Sequence, residues 1–190
     1  MTAGSRLRLT TERLELVAGD GELGRAELAG TEILAARLGA RVPPEWPPPL
    51  NDGASITWFV EYAEANPDAL GWVLWYFLLR ESNGDLLAIG NGGFKGKPDP
   101  SGCVEVGYSV LEAHQRRGYA PEAVRALIDW AFGQREVERI RAHTLPDLEP
   151  SIRVLEKCGF VELGAGAEEG TVLFELARDP VELASSGRVQ

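Results

Sequence analysis

The sequence is poor in cysteine and in long apolar runs. Its only cysteines are Cys103 and Cys158, which excludes a disulfide framework, and they lack the paired spacing of a zinc site. The longest apolar run spans residues 72–79, far short of the roughly 20 residues that a transmembrane helix needs. Residues 1–14 contain no apolar core of signal-peptide length. These absences predict a protein of the reducing cytoplasm that does not enter a membrane.

Basic residues are also scarce. The 190 residues include 19 Lys and Arg against 29 Asp and Glu, for a net charge of -10. This balance argues against nucleic-acid binding, which needs a basic face. It fits an amine-bearing partner, although an acidic surface also simply keeps a protein in solution. The length predicts a single domain over residues 1–177 and an unpacked tail over residues 178–190.

The first third of the chain mixes strand and helix patterns. Partly alternating leucines predict a strand over residues 6–17, and a broken apolar stripe predicts a helix over residues 22–38. Five prolines in residues 42–50 exclude regular structure there. Helical spacing of aromatic residues then predicts a helix over residues 55–66.

The rest of the chain has mainly strand patterns. A hairpin turn is predicted at residues 82–85. Strands are predicted at residues 71–80, 86–94, 103–111, 138–144, 161–164 and 171–177, and helices at residues 121–132 and 150–158. This order predicts an α+β fold with a mixed, mostly antiparallel sheet flanked by helices.

Residues 115–120 form a basic, glycine-containing turn between a strand and the clearest helix. Unpaired amides at a helix start, together with the helix dipole, attract anions. Gly118 lets a ligand approach the backbone closely, while Arg116 and Arg117 add positive charge. The turn is therefore a candidate pyrophosphate site, and the alternative is a tight turn with a solvated basic pair.

Three segments resemble the GNAT superfamily of acetyltransferases. Residues 115–120, QRRGYA, match its Q/R-x-x-G-x-G/A acyl-CoA motif. Residues 11–16, TERLEL, resemble the opening strand of the branch that contains ribosomal-protein N-terminal acetyltransferases. Residues 151–160, SIRVLEKCGF, resemble that branch's second cofactor helix and the strand after it. The resemblance covers roughly residues 10–176, and it implies an N-acetyltransferase that uses acetyl-CoA and no metal.

The resemblance also implies which residues contact the coenzyme. The strand before the turn would pair with the pantetheine arm, and an amide near Ser109 or Val110 would stabilise the oxyanion, which makes Ser109 a catalytic candidate. Ser151 would cap the second cofactor helix and lie beside the coenzyme, or would only cap the helix. The implied contacts are Tyr108, Ser109, Val110, Leu111, Gln115, Arg116, Arg117, Gly118, Tyr119, Ala120 and Ser151.

Acetyl transfer to an amine also requires a base. Glu105 is the best candidate because it lies on the cofactor strand between two valines, and the alternative is a carboxylate on the rim. His114 precedes the turn and is expected to position it. His143 is expected either to reach the acceptor or to lie in the core. Trp46, within the proline segment, is either a wall of the acceptor site or, more simply, a packing anchor.

Three positions depart from the family pattern. Leu148 stands where related sequences often have asparagine, and Leu155 stands where many members have a tyrosine that acts as general acid. Pro121 removes one amide donor beside the turn.

Two functions of different class follow. The first is transfer of acetyl to a protein N-terminus or small-molecule amine by a monomer or homodimer. The second, suggested by Leu148 and Leu155, is an acyl-CoA-binding or regulatory module without turnover. A nucleotide-binding module is a distant third, since it requires a fuller glycine-rich loop.

Overall fold

The computed structural model describes residues 6–179, which form one eight-stranded sheet with helices on both faces. The strands are β1 (Arg8–Thr10), β2 (Leu14–Ala18), β3 (Trp75–Arg80), β4 (Leu86–Phe94), β5 (Cys103–Val110), β6 (Arg139–Thr144), β7 (Val161–Ala165) and β8 (Val172–Ala177). The helices are α1 (Gly21–Ala29), α2 (Thr31–Leu38), α3 (Gly53–Ala65), α4 (Tyr119–Phe132) and α5 (Glu149–Lys157). The strand order is β1-β2-β3-β4-β5-β6-β8-β7, and β5–β6 is the one parallel pair among them. The predicted fold class is confirmed.

Two predicted elements were wrong in detail. The single opening strand is a hairpin of β1 and β2, because the Thr11 amide donates to the Leu14 carbonyl and the Thr11 hydroxyl accepts from the Leu14 amide, which turns the chain. The single helix over residues 22–38 is two helices, α1 and α2. They are separated by Gly30, whose φ of 132° lies outside the helical region.

The alternation of side chains along the strands creates two cores. On β3, Trp75 and Phe77 face the core that α4 and α5 cover, whereas Tyr76 and Leu78 face the core that α1, α2 and α3 cover. We call these the α4 face and the α1 face. Most of the predicted site residues lie on β5 or in the segment that follows it.

The parallel pairing of β5 with β6 is short. It joins Cys103–Glu105 to Arg139–Arg141 and then stops, although β5 continues along β4 as far as Val110. β6 meanwhile stays paired with β8 through Thr144. Beyond Glu105, β5 therefore has a free edge, and a gap opens between β5 and β6.

The first residue of the predicted tail is hydrogen-bonded to the rest of the protein. Arg178, assigned to the unpacked tail, donates from its guanidinium to the carbonyls of Val137 and Gln134, and its amide donates to the Glu138 carbonyl. The remainder of the predicted tail, residues 180–190, lies outside the described residues. The single domain over residues 1–177 stays a prediction.

Candidate active site

The basic turn lies at the start of α4. Residues 115–118 are exposed, and Gly118 caps the helix in the left-handed region with φ of 82°. Arg116 also has a positive φ, 60°. The side chain of Gln115 donates to the Val110 carbonyl at 2.9 Å. This bond ties the turn to the end of β5, so the free helix amides lie beside the gap.

The backbone of β5 alternates between β4 and the gap. The Lys95 amide bonds to the Glu105 carbonyl, and the Leu111 amide bonds to the Ile89 carbonyl. In an antiparallel ladder every second residue faces the same neighbour. The backbone groups of Ser109 therefore face β4, and those of Tyr108 and Val110 face the gap.

A pair of hydroxyl groups links β5 to α5. The Tyr108 hydroxyl lies 3.2 Å from both the carbonyl oxygen and Oγ of Ser151. Burial raises the pKa of Tyr108 to about 12, so the phenol keeps its proton at neutral pH. The prediction that Ser151 caps α5 was wrong. The helix begins at Glu149, and Ser151 is its third residue. Pro150 lies between them, because the first turn of a helix tolerates proline.

Glu105 lies in an ionic cluster on the α1 face. Its carboxylate is 2.5 Å from Lys95 Nζ and 3.0 Å from His143 Nδ1, although the imidazole N–H does not point straight at the oxygen. His143 Nε2 accepts from the Ala167 amide at 3.4 Å. With 24% of its side chain exposed, Glu105 is neither fully buried nor fully solvated. His143 thus lies beside Glu105 with 14% of its side chain exposed, and a contact with the acceptor stays a prediction.

The floor beside Glu105 is open. Gly107 is the next β5 residue on the α1 face, and a Cβ built there would have no atom within 4 Å. One more step along this face, Ser109 Oγ donates to the Pro49 carbonyl at 2.7 Å. Its cross-strand partner Asn91 donates to Asn51 Oδ1 at 3.3 Å. The proline segment thus borders this face of β5.

Trp46 anchors the proline segment. It is 7% exposed, stacks on Tyr76, and donates from Nε1 to Glu27 at 2.7 Å. Tyr76 donates to the same carboxylate. Burial raises the pKa of Glu27, against the effect of these two hydrogen bonds. Trp46 is therefore a packing anchor, as one of the two interpretations predicted. The neighbouring Pro43, Pro47 and Pro49 line a cavity of about 250 Å³ together with residues 111–114.

Two other positions that the sequence singled out, His114 and Leu155, are half-buried and buried. His114 is half-buried beside the Tyr119 ring, and burial, followed by the charge of Arg117, lowers its pKa; its positioning role stays a prediction. Leu155 is 1% exposed within the α4-face core, so this position adds no polar group to the gap.

The described residues contain no cluster that could hold a metal and no helix suited to crossing a membrane. Across residues 6–179, no three His, Cys, Asp or Glu side chains are grouped as ligands. In the same part of the chain, each helix is too short or too polar for a bilayer span. Both cysteines are free.

Comparison with known proteins identifies the family. Residues 26–161 match the model of the acetyltransferase (GNAT) domain. The uncharacterized N-acetyltransferase YjdG of Bacillus subtilis is 33% identical over 155 residues, 80% of this chain and 89% of YjdG.

Solved structures share the fold. RimL, a ribosomal alpha-N-protein acetyltransferase in complex with coenzyme A, superposes with a TM-score of 0.63 at 16% identity, covering 91% of this chain and 99% of RimL. A ribosomal-protein alanine acetyltransferase from Vibrio fischeri gives 0.60 at 23% identity, covering 92% and 98%. With a family model matching residues 26–161 and a relative that is 33% identical over 80% of its length, this chain belongs to the GNAT family of acetyltransferases.

Proposed function

We propose that this protein transfers an acetyl group from acetyl-CoA to a primary amine by direct attack in a ternary complex. The observation that carries the proposal is the gap between β5 and β6, which ends at the basic turn of α4. A free strand edge binds an amide-containing chain, and a helix start binds phosphate. Acetyl-CoA is a thioester on an amide-containing arm that ends in phosphates, so both features suit it.

Each part of the coenzyme would have a place on the chain. The pantetheine arm would pair with the strand edge at Tyr108 and Val110, with Ser109 and Leu111 contributing to the same segment. The amides of residues 116–120 would hold the pyrophosphate, with Arg116 and Arg117 adding charge, whereas the Gln115 amide already donates to the Glu112 carbonyl. The Tyr108 or Val110 amide, rather than that of Ser109, would donate to the oxyanion, because only their amides face the gap. Ser151 lies across the gap on α5.

The reaction moves three protons. The ammonium loses one to become the neutral amine; the nitrogen then bonds to the carbonyl carbon, the carbon–sulfur bond breaks, the nitrogen loses a second proton, and the thiolate gains one. A lysine-like amine costs roughly 4–5 kcal/mol to deprotonate at pH 7, whereas an α-amine costs about 1 kcal/mol. Glu105 lies three residues, about 10 Å of strand, from Tyr108. Its carboxylate would therefore take the proton through a water molecule, over the open floor at Gly107.

Tyr108 is the candidate donor to the departing thiolate. It replaces the absent hydroxyl at position 155, because its protonated phenol lies at the gap with Ser151. We expect Tyr108→Phe to lower kcat by about 10-fold, less than a general acid usually supplies, since a thiol with a pKa near 8.5 leaves readily. Steady-state rates of the folded variant measure this. The acetyl-CoA KM should stay within about threefold, and an unchanged kcat would remove Tyr108 from the reaction.

The proposal is tested by thiol release. Acetyl-CoA is incubated with the protein and with peptides, polyamines or aminoglycosides, and free thiol is measured. We expect release with at least one amine, binding of one acetyl-CoA per chain, and a raised Tm with acetyl-CoA but not with nicotinamide nucleotides. The absence of binding heat at high micromolar acetyl-CoA would overturn the proposal.

The second candidate is an acyl-CoA-binding or regulatory module. Position 155 supports it, because a leucine in the core supplies no acid. Such a module would bind acetyl-CoA and release no thiol with any amine. A cytoplasmic location, the absence of a metal, and a monomer or homodimer stay predictions.

A further inference from the structure

A negative charge stands beside the proposed phosphate site. Glu122 lies in the first turn of α4, four residues after the Gly118 cap, and only 15% of its side chain is exposed. An acidic residue there stabilises the helix through its dipole. The same carboxylate, left uncompensated, would repel a phosphate bound to the amides of that turn. A coenzyme site at this helix start therefore requires the charge to be offset.

Arg13, near the start of the chain, offsets the negative charge of Glu122. Its Nε donates to Glu122 Oε2 at 2.7 Å, and Nη2 lies 2.6 Å from the same oxygen. The Arg13 amide and the Thr11 hydroxyl occupy Oε1 at 2.8 and 2.6 Å. Burial opposes ionisation of Glu122, but these hydrogen bonds outweigh it and hold the pKa of the carboxyl below its ordinary value. The pair is thus a charged one.

Arg13 also contacts the turn itself. Its Nη1 donates to the Arg117 carbonyl at 3.0 Å, and its guanidinium lies over the Tyr119 ring, 4.6 Å from the centroid. A Cβ at position 118 would be 3.2 Å from Arg13 Nη2. The turn contains Arg116 at a positive φ that few non-glycine residues adopt, so its shape depends on such contacts.

We propose that Arg13 is a positioning residue for the phosphates of acetyl-CoA. It neutralises Glu122 and holds the backbone of residues 116–119, so that the turn presents amides and positive charge to the pyrophosphate. The proposal rests on the proposed function, because it concerns the same coenzyme. Arg13 would thereby connect the β1–β2 hairpin to the coenzyme site, a role that the sequence did not predict for any residue of that hairpin.

The test compares Arg13→Ala with a matched control, Arg8→Ala. Arg8 pairs with Glu15 at 2.7 Å and has 42% of its side chain exposed, against 40% for Arg13, so both variants lose one charge and one ion pair from one hairpin. We expect Arg13→Ala to raise the Kd for coenzyme A about 10- to 100-fold, the range for lost hydrogen bonds to a charged group. Arg8→Ala should stay within about threefold.

Two further measurements separate positioning from general damage. S-acetylpantetheine carries the thioester but no pyrophosphate, so its reaction rate should be similar in the parent and Arg13→Ala. Adding Glu122→Gln to Arg13→Ala should recover part of the coenzyme affinity, because the uncompensated charge is gone. If Arg13→Ala fails to fold, Arg13→Lys tests the proposal instead. A lysine keeps the charge, but its single ammonium cannot bond to both Glu122 and the Arg117 carbonyl as the guanidinium does. We expect Arg13→Lys to bind coenzyme A at least threefold more weakly than the parent.

The outcomes distinguish this inference from the proposed function. If the parent protein binds no acetyl-CoA, the proposed function fails. If the parent binds and folded Arg13→Ala binds equally well, the role of Arg13 is wrong. Equal losses with coenzyme A and S-acetylpantetheine would likewise overturn a role at the phosphates.

Discussion

Gly118→Glu should abolish acetyl-CoA binding, raising its Kd by more than about 100-fold. The glycine adopts φ of 82°, which a glutamate adopts only with strain. A Cβ there would lie 3.2 Å from Arg13 Nη2, so the side chain would crowd Arg13 beside the proposed phosphate site, and its carboxylate would repel the phosphates. Calorimetric titration with acetyl-CoA measures the loss directly, and circular dichroism establishes that the variant is folded.

Gly84→Glu is the matched control. Gly84 has φ of 89° and open space around its Cβ position, and it lies in the turn between β3 and β4. The two variants therefore carry the same backbone strain and the same added charge. Gly84→Glu should bind acetyl-CoA as the parent does. If Gly118→Glu is folded and binds like this control, the phosphate site is elsewhere.

Glu105→Gln should lower kcat by about 100- to 10,000-fold, the usual contribution of a positioned base. The amide has the shape of the carboxylate but cannot take the amine's proton, and acetyl-CoA affinity should change little. The loss should shrink as pH rises, because more of the acceptor is then already neutral. It should also be smaller for an α-amine than for a lysine-like amine, whose deprotonation costs roughly 3 kcal/mol more.

The pH–rate profiles of both proteins with one acceptor, corrected for the folded fraction, test this prediction. Glu175→Gln serves as control, because Glu175 is a comparably half-buried carboxylate, 19% exposed and paired with Arg141 at 2.8 Å. It should retain kcat within about threefold. A structural role for Glu105, through Lys95 and His143, instead predicts lower stability and parallel profiles. An offset below about threefold would exclude Glu105 as the base.

Local patterns were sufficient for most of the fold. The β3–β4 hairpin follows from turn residues between apolar runs, and the start of α4 follows from the glycine, proline and acidic residue at its first turn. The prediction of a single leucine-rich strand was wrong at residues 11–13. The Thr11 hydroxyl accepts from the Leu14 amide and helps to turn the chain there, and periodicity does not reveal such a bond.

Part of the candidate site could likewise be predicted from local sequence and part could not. Residues 115–120 are contiguous, so the sequence shows their charge and turn chemistry directly. The strand before them is also visible as a continuous pattern. The partners of these residues are far away in the chain: Arg13 at the turn, His143 beside Glu105, and Pro49 against Ser109. No periodicity or spacing predicts such pairs, because they arise only when separate strands are brought side by side.

The sequence by itself determined the fold class and the membership in an acetyltransferase family, and it located the basic turn that is proposed to bind phosphate, because each depends on residues adjacent in the chain. The tertiary structure alone decided which amides are free. Pairing with β4 uses the backbone of Ser109, while the early end of the β5–β6 pairing leaves Tyr108 and Val110 open to the gap. The direction of a backbone amide depends on strand register, and register is established only when the sheet assembles.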